Sequence, residues 1–347
     1  MVCAVGSVTP QEHLENMKTA FVTGGTGFIG GRLVALLVER GVEVRALARS
    51  QAGLEKVKAL GATPIPGDVT DPKSMKDGMR GCDVLFHVAA MYEVGARYAS
   101  QMKVVNVDGA RHVFESALEV GVPKIVFTST AAVHGNTKGK MVDENYHVPL
   151  EALKSSTVYE QTKWRAHYEV AVPIIKNGAP IVIVESGGVY GPEDHSVVGD
   201  LMKLYARGRL PVLPDRDTTF TYVYVDDIAE GHILAAEKGR IGESYAMGYQ
   251  PIQLGEFADL WAKVSGRPKI ALKIPSALVH PSWPLMALIE KLAPLPAMFS
   301  SEAVRTAGTT WIVSCKKAQD ELGWKPRPVE EGLKLTFDWL NEKYNQK

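Results

Sequence analysis

The chain has 347 residues, and its 39 basic and 39 acidic side chains give a formal net charge of zero. This length supports a large buried core, as one elaborated domain or as a main domain with a smaller one on top. Balanced charge without a strongly basic cluster argues against a nucleic-acid or anionic-membrane partner. Cys3, Cys82 and Cys315 are far apart and odd in number, which predicts no disulfide framework, no metal site and a reducing, cytoplasmic location.

Residues 1–17 are predicted to be an N-terminal extension, because they lack the basic head and apolar core of a signal peptide. The most apolar later stretch, 284–298, is interrupted by Glu290, Lys291 and two prolines. We therefore expect a lid or interface helix there, and no membrane span.

Short β-rich runs alternate with helical patterns from residue 18 to about residue 187. The predicted strands are 19–23, 42–48, 63–66, 84–88, 124–128 and 181–184, and the predicted helices are 28–40, 53–60, 72–80, 99–120 and 158–176. This rhythm requires right-handed crossovers between parallel strands. It predicts an α/β fold, a doubly wound parallel sheet with helices on both faces.

A glycine-rich turn joins the first predicted strand to the first helix, with Gly24, Gly27 and Gly30 as its glycines. In a dinucleotide site the first glycine permits a tight turn, the second lets the main chain approach a pyrophosphate, and the third allows close helix packing. The helix N-terminus supplies free N–H groups to the anion. We interpret the turn as a dinucleotide-binding loop whose contacts are Gly24, Thr26, Gly27, Phe28 and Ile29.

The end of the second predicted strand bears on the choice of cofactor. An acidic residue there binds the ribose 2′-hydroxyl of NAD, whereas a cation accommodates the 2′-phosphate of NADP. Arg49 occupies this place, so the sequence predicts a preference for NADP(H), with NAD(H) as a possible substitute. The alternative is that Arg49 is a solvated charge at the end of a strand.

Two groups of residues have side chains that suit proton transfer and hydrogen bonding to a substrate. Tyr159 and Lys163 are four residues apart and share one face of helix 158–176. A neighbouring Lys charge favours the phenolate, so we expect a lowered pKa for Tyr159 and a role as general acid and base. Ser129 and Thr130 end the fifth strand, where a hydroxyl can donate to a substrate oxygen. Taken alone, these residues also fit a surface Tyr–Lys pair and ordinary turn chemistry.

After Gly187 the alternation fails, and prolines and glycines divide the chain into shorter helical pieces. Segment 220–238 again has the pattern of a strand followed by a helix, so we expect it to return to the sheet of domain 18–187. The rest of 188–347 is predicted to form a smaller, discontinuous cap over the carboxyl ends of the strands, where open α/β sheets bind ligands.

Taken together, these features resemble the extended short-chain dehydrogenase/reductase superfamily, the NAD-dependent epimerase/dehydratase family. Further matching motifs are Gly67-Asp68-Val69, Phe86-His87-Val88-Ala89-Ala90, Gly188-Val189-Tyr190-Gly191-Pro192 and Tyr222-Val223-Tyr224-Val225-Asp226-Asp227. The chain is most similar to the dihydroflavonol 4-reductase-like and 3β-hydroxysteroid dehydrogenase-like branch. This resemblance implies a Rossmann fold and an NAD(P)-dependent oxidoreductase.

The resemblance also implies roles for individual residues. Tyr159 would be the acid and base, Lys163 would tune it and hold the nicotinamide ribose, and Thr130 would donate to the substrate oxygen. The other cofactor contacts that it implies are Lys56, Asp68 at the adenine amino group, Val69, Ala89, Ala90, Ser129, Gly188 and Val189.

The wall of the predicted pocket is apolar or aromatic, and its candidates are Met91, Tyr92, Tyr190, Phe220 and Tyr222, with Trp283 and Met286 as further ones. Such a wall suits a ketone, aldehyde or secondary alcohol on a largely apolar body. Nucleotide-sugar enzymes carry Arg and Asn groups where this chain has Glu185, Gly188 and Phe220. A diphosphate would therefore lose charge-assisted partners and meet an added carboxylate.

Two alternatives stay open from the sequence. A nucleotide-sugar 4-epimerase or dehydratase with tightly bound NAD would use the same Tyr159, and an NADP-binding redox-sensing regulator would bind the cofactor without proton transfer. We also expect a homodimer, because relatives pair through helices equivalent to 99–120 and 158–176.

Overall fold

The computed structural model describes residues 17–93, 98–290, 292–293 and 295–345. Its strands are β1 (Thr19–Thr23), β2 (Glu43–Ala48), β3 (Thr63–Pro66), β4 (Val84–His87), β5 (Ile125–Thr130), β6 (Ile181–Ser186), β7 (Gly188–Tyr190), β8 (Val212–Leu213), β9 (Thr219–Tyr224), β10 (Ser244–Met247), β11 (Pro251–Gln253), β12 (Leu272–Lys273) and β13 (Thr310–Trp311). Its helices are α1 (Phe28–Glu39), α2 (Gln51–Ala59), α3 (Lys73–Met79), α4 (Ala99–Lys103), α5 (Gly109–Glu119), α6 (Val158–Trp164), α7 (Val172–Lys176), α8 (Val197–Ala206), α9 (Val225–Lys238), α10 (Leu254–Ser265), α11 (Ser276–Val279), α12 (Trp283–Glu290), α13 (Ser301–Arg305), α14 (Lys316–Leu322) and α15 (Val329–Asn345).

Seven strands form the main sheet, in the order β10-β6-β5-β4-β1-β2-β3, and every neighbouring pair is parallel. Both faces are covered, because α1, α9 and α14 pack on one side and α3 and α5 on the other. Helices α4 and α5 are joined by a π-helical turn, Val104–Asp108, and α6 and α7 by another, Arg165–Ala171. The predicted doubly wound Rossmann fold is confirmed.

The cap has its own small sheet, in which β9 pairs with β7, β11 and β13. The structure therefore differs from the expectation that 220–238 returns to the main sheet as a strand and a helix. Helix α9 does pack against the main sheet, but the strand that pairs with β6 at the edge of this sheet is β10. The physical reason is aromatic packing, since Tyr222 and Tyr224 on β9 lie in the cap core with Tyr190 and Phe257.

The described residues of the apolar stretch 284–298 form two short helical pieces. Helix α12 ends at Glu290, and a 3₁₀ turn follows at Ala297–Phe299. Over the part of the chain that the structure describes, we find no helix whose length and apolar character would let it cross a bilayer.

The contact between α1 and the glycine loop yields a stability prediction. A Cβ atom on Gly30 would lie 2.1 Å from the carbonyl oxygen of Gly24, whereas one on Gly31 would lie 3.5 Å from its nearest neighbour, the Gly25 oxygen. Gly30→Ala should therefore lower the free energy of unfolding by about 1–3 kcal/mol. Gly31→Ala, the matched control, should raise it by about 0.5–1 kcal/mol, because alanine has the higher helix propensity. Urea denaturation measures both, and equal effects of the two substitutions would contradict this packing.

Candidate active site

A cavity of about 1150 Å³ lies between the carboxyl ends of the main strands and the cap. Residues from the glycine loop, from the ends of β4 to β6, from α6 and from the cap line it together. The predicted site residues that line it are Gly24, Thr26, Gly27, Phe28, Ile29, Arg49, Val69, Ala89, Ala90, Met91, Tyr92, Ser129, Thr130, Tyr159, Lys163, Gly188, Val189, Phe220 and Tyr222. Four predicted residues are absent from this lining, namely Lys56, Asp68, Tyr190 and Trp283.

The glycine loop has the shape that a dinucleotide requires. Gly24 has a φ of +78°, and a Cβ there would come within 2.6 Å of the Ala89 backbone nitrogen. Gly27 precedes α1 with no side-chain cap, so the first N–H groups of this helix face the cavity end of the loop without a competing hydroxyl. The loop therefore fits a bound pyrophosphate, and a side chain at Gly24 would clash with the backbone of Val88 and Ala89.

The adenosine end of the site differs in detail from the prediction. Asp68 accepts hydrogen bonds from the backbone N–H and the hydroxyl of Thr70, at 2.8 and 2.9 Å, so one of its oxygens holds the local turn. Its other oxygen lies 3.8 Å from Nε of Arg49, whose side chain is 67% exposed. Lys56 lies outside the lining, 3.4 Å from Glu193. Arg49 is thus the cation at the cavity rim, whereas Lys56 lies outside the cavity and pairs with Glu193.

The end of β5 presents a row of hydroxyls to the cavity. Ser129 is hydrogen-bonded to Nδ1 of His167 at 2.8 Å. Thr130 accepts a hydrogen bond from the backbone N–H of Ala132 at 3.3 Å and caps the short 3₁₀ turn that follows. Since this contact uses a lone pair of the Thr130 oxygen, its O–H remains available to donate to a ligand oxygen.

Tyr159 and Lys163 reach the same cavity from α6. Lys163 is 3% exposed, and its ammonium donates to the backbone carbonyl of Thr128 at 2.6 Å. The ring of Tyr159 packs edge-on against Tyr92, with 4.8 Å between the ring centroids. Tyr159, Lys163 and Thr130 therefore all line the same cavity, and Tyr159 and Lys163 lie one turn apart on α6.

The proton affinities of this pair differ from the sequence-based expectation. Burial raises the pKa of Tyr159 well above its ordinary value, and the neighbouring carboxylate of Glu160 adds to the rise. Burial also lowers the pKa of Lys163 to about 7. The prediction of a lowered pKa for Tyr159 is therefore wrong for this structure, because loss of hydration outweighs the attraction of the ammonium group.

The cap wall contains Phe220 and Tyr222 as predicted, and Met286 joins them. Tyr190 does not line the cavity. Its hydroxyl donates to the backbone carbonyl of Val329 at 3.0 Å, and its ring packs edge-on against Phe257. Tyr190 is thus part of the cap core. Trp283 is also outside the lining.

Glu185 does not add a carboxylate to the pocket, contrary to the prediction. It lies behind Ser186, fully buried, with an oxygen 2.8 Å from Nε2 of His134. Strand alternation explains the difference, because consecutive residues of a strand face opposite sides. Only Ser186 of the two lines the cavity.

Sequence reasoning missed part of the cavity wall. Asp194 lines it from the loop before α8, and burial raises the pKa of its carboxyl to about 6. A long stretch of the cap contributes a mostly apolar wall that includes Ile274, Leu278, Val279, Met298, Phe299, Val304 and Trp311. The sequence signal for this wall is the spacing of apolar residues in 274–311. The same spacing is also typical of helices that pack into the core of a cap.

Comparisons with known proteins show the family to which the chain belongs. Residues 21–243 match the model of the 3-beta hydroxysteroid dehydrogenase/isomerase family. The chain belongs to this family. The family lies within the extended short-chain dehydrogenase/reductases, so the predicted resemblance is confirmed.

Individual relatives span almost the whole chain. The 4-hydroxy-2-methyl-3-oxo-4-farnesyl-3,4-dihydroquinoline-1-oxide ketoreductase of Stigmatella aurantiaca is 32% identical, over 91% of this chain and 95% of its own. The crystal structure of gox2253 is 30% identical, with a TM-score of 0.82, over 96% of this chain and 100% of its own. The Thermus thermophilus UDP-glucose 4-epimerase complex with NAD is 25% identical, with a TM-score of 0.73, over 93% and 99%. The chain is an oxidoreductase-type enzyme of a fold that binds a nicotinamide cofactor.

Burial of Lys163 gives a pH-dependent stability. The pKa of Lys in an unfolded chain is about 10.4, whereas the pKa of Lys163 is about 7. Between these values the unfolded state binds more protons, so this residue's contribution to stability increases as pH rises. The unfolding free energy of the wild type minus that of Lys163→Met should therefore increase from pH 7 to pH 10 in urea titrations. A difference that is independent of pH would show that the ammonium is not desolvated.

Proposed function

We propose that this enzyme transfers hydride reversibly between NADP(H) and a ketone, aldehyde or secondary alcohol carried on a largely apolar body. The observation that carries the proposal is that Thr130, Tyr159 and Lys163 line one cavity together with a mostly apolar set of cap residues. The name of the Stigmatella relative, a ketoreductase, supports the reductive direction. When bound, the nicotinamide would supply the hydride. The residues of the site would supply the proton and hold the substrate oxygen.

The proton chemistry follows from the hydrogen bonds of the site. Thr130 has an O–H free to donate, so it can hold the substrate oxygen and stabilise the negative charge that develops on it. Tyr159 stays protonated because burial raises its pKa, so it can hand its proton to the developing alkoxide. Lys163, held by the Thr128 carbonyl, lies one helical turn from Tyr159 and positions the ribose.

Charge on the cavity wall favours an uncharged substrate. The carboxylates of Asp194 and Asp215 line the cap side. Among the described lining residues, Arg49 and Lys163 are the only Arg and Lys side chains, and both lie on the cofactor side. Arg216 pairs with Asp217 and is outside the lining. A nucleotide-sugar diphosphate would therefore face carboxylates without a nearby cation, which weighs against the epimerase and dehydratase alternative.

Tyr159→Phe tests the acid directly. The substitution keeps the ring and removes the proton donor, so turnover of an apolar ketone with NADPH should fall roughly 100- to 10,000-fold. Tyr190→Phe is the matched control, because the Tyr190 hydroxyl lies in the cap core. It should keep near-normal turnover and lose about 1 kcal/mol of stability. Absorbance of NADPH over a panel of carbonyl compounds is the readout, and near-normal turnover of Tyr159→Phe would refute the proposal.

Cofactor preference rests on Arg49. Its guanidinium at the cavity rim can pair with a 2′-phosphate. Arg49→Gln should lower kcat/KM for NADPH about tenfold to hundredfold and leave the value for NADH nearly unchanged. Lys58→Gln, which removes an exposed cation from α2, should change neither value. A wild-type enzyme with higher kcat/KM for NADH than for NADPH would overturn the proposed preference.

A further inference from the structure

A buried acid–base pair lies directly behind the active-site wall. Nε2 of His134 is 2.8 Å from an oxygen of Glu185, and neither side chain is exposed. Nδ1 of His134 is hydrogen-bonded to the backbone carbonyl of Tyr146. Neither His134 nor Glu185 lines the cavity, so neither of them touches the substrate.

The partners of His134 define its protonation. A carbonyl oxygen can only accept, so Nδ1 carries a proton. Burial acts to lower the pKa of His134, but the hydrogen bond and charge of Glu185 outweigh it and raise the pKa. Burial acts to raise the pKa of Glu185, and the contact with His134 outweighs it and lowers the pKa. Both shifts favour the ionised forms of the pair, an imidazolium hydrogen-bonded to a carboxylate.

This ion pair ties the Thr130 turn to the neighbouring strand. His134 ends the 3₁₀ turn Ala131–His134, which Thr130 begins and caps. Glu185 lies on β6, in register with Ser129 of β5. The turn is thus held at its start by the β5–β6 pairing and at its end by a side-chain bond to the same strand β6.

We propose that the His134–Glu185 pair is a positioning device, which fixes the Thr130 hydroxyl for the substrate oxygen. The inference rests on the role of Thr130 in the proposed function. A buried ion pair is weak evidence for stability, since an apolar replacement of similar volume often costs nothing. A small rotation of Thr130 is costly for catalysis, because misplacement of a reacting contact by about 1 Å can cost a hundredfold in rate.

Two substitutions of Glu185 separate the hydrogen bond from the charge. Glu185→Gln can donate its amide to Nε2 of a neutral His134 and preserves the connection. Glu185→Met has similar length and leaves His134 neutral, with its Tyr146 contact but no partner on β6. We expect kcat to fall about tenfold in Glu185→Met and to stay within about threefold of the wild type in Glu185→Gln. The dissociation constant for NADPH, measured by fluorescence, should change less than twofold in both.

A double-mutant cycle with Thr130→Val identifies the route of the effect. If the pair acts through Thr130, the loss caused by Glu185→Met should nearly disappear in the Thr130→Val background. A loss that persists there in full, or an unchanged kcat in Glu185→Met alone, would overturn the proposal. Should Glu185→Met fail to fold, the double variant His134→Leu/Glu185→Met, which leaves no buried charge, takes its place in the cycle.

The same cycle separates this inference from the proposed function. If Thr130→Val turned over normally, Thr130 would not hold the substrate oxygen, and the positioning role of the His134–Glu185 pair would be refuted. Tyr159→Phe would still report on the proton donor independently.

Discussion

The active site depends on how helix α6 is fastened to strand β5. The ammonium of Lys163 donates to the Thr128 carbonyl, and one turn later His167 is hydrogen-bonded to the hydroxyl of Ser129. Tyr159, one turn before Lys163, is thereby held beside the end of the strand that carries Thr130. Because both contacts are buried, breaking either leaves a polar group without hydration. These contacts bring a helix and a strand that are distant in sequence together at the cavity, where we propose that they transfer a proton.

Burial sets the electrostatics of that wall. A solvated ammonium beside the phenol would favour its ionised form, but in this cavity burial pushes both Tyr159 and Lys163 towards their neutral forms. A protonated phenol and a free threonine hydroxyl are hydrogen-bond donors, which is what a carbonyl oxygen needs as it gains negative charge. The cap lines the cavity with apolar side chains such as Met286 and Phe299. The proposed substrate preference and the proposed proton chemistry thus both depend on burial of the site.

Much of the fold and part of the site could be predicted from local patterns. Strand and helix periodicity, the glycine spacing and the four-residue separation of Tyr159 and Lys163 act over one or two turns of chain. The direction of Tyr190, the pairing of Glu185 and the sheet that receives β9 depend on contacts between distant segments. The pKa of Tyr159 could not be predicted either, because spacing indicates a neighbouring charge but does not measure lost hydration. Even so, Ser129 and Thr130 do lie at the end of β5 that lines the cavity.

The most direct test of the central claim is to follow deuterium from labelled NADPH to the product. The account predicts that NADPH carrying deuterium at the transferable position passes it to the carbinol carbon of a released apolar alcohol, with one equivalent of NADP⁺ released per turnover. Deuterium that stays with the enzyme-bound cofactor while a sugar nucleotide is epimerised would contradict it. Such a result would show that the wall formed by Thr130, Tyr159 and Lys163 serves a hydride that is taken from and returned to the same substrate.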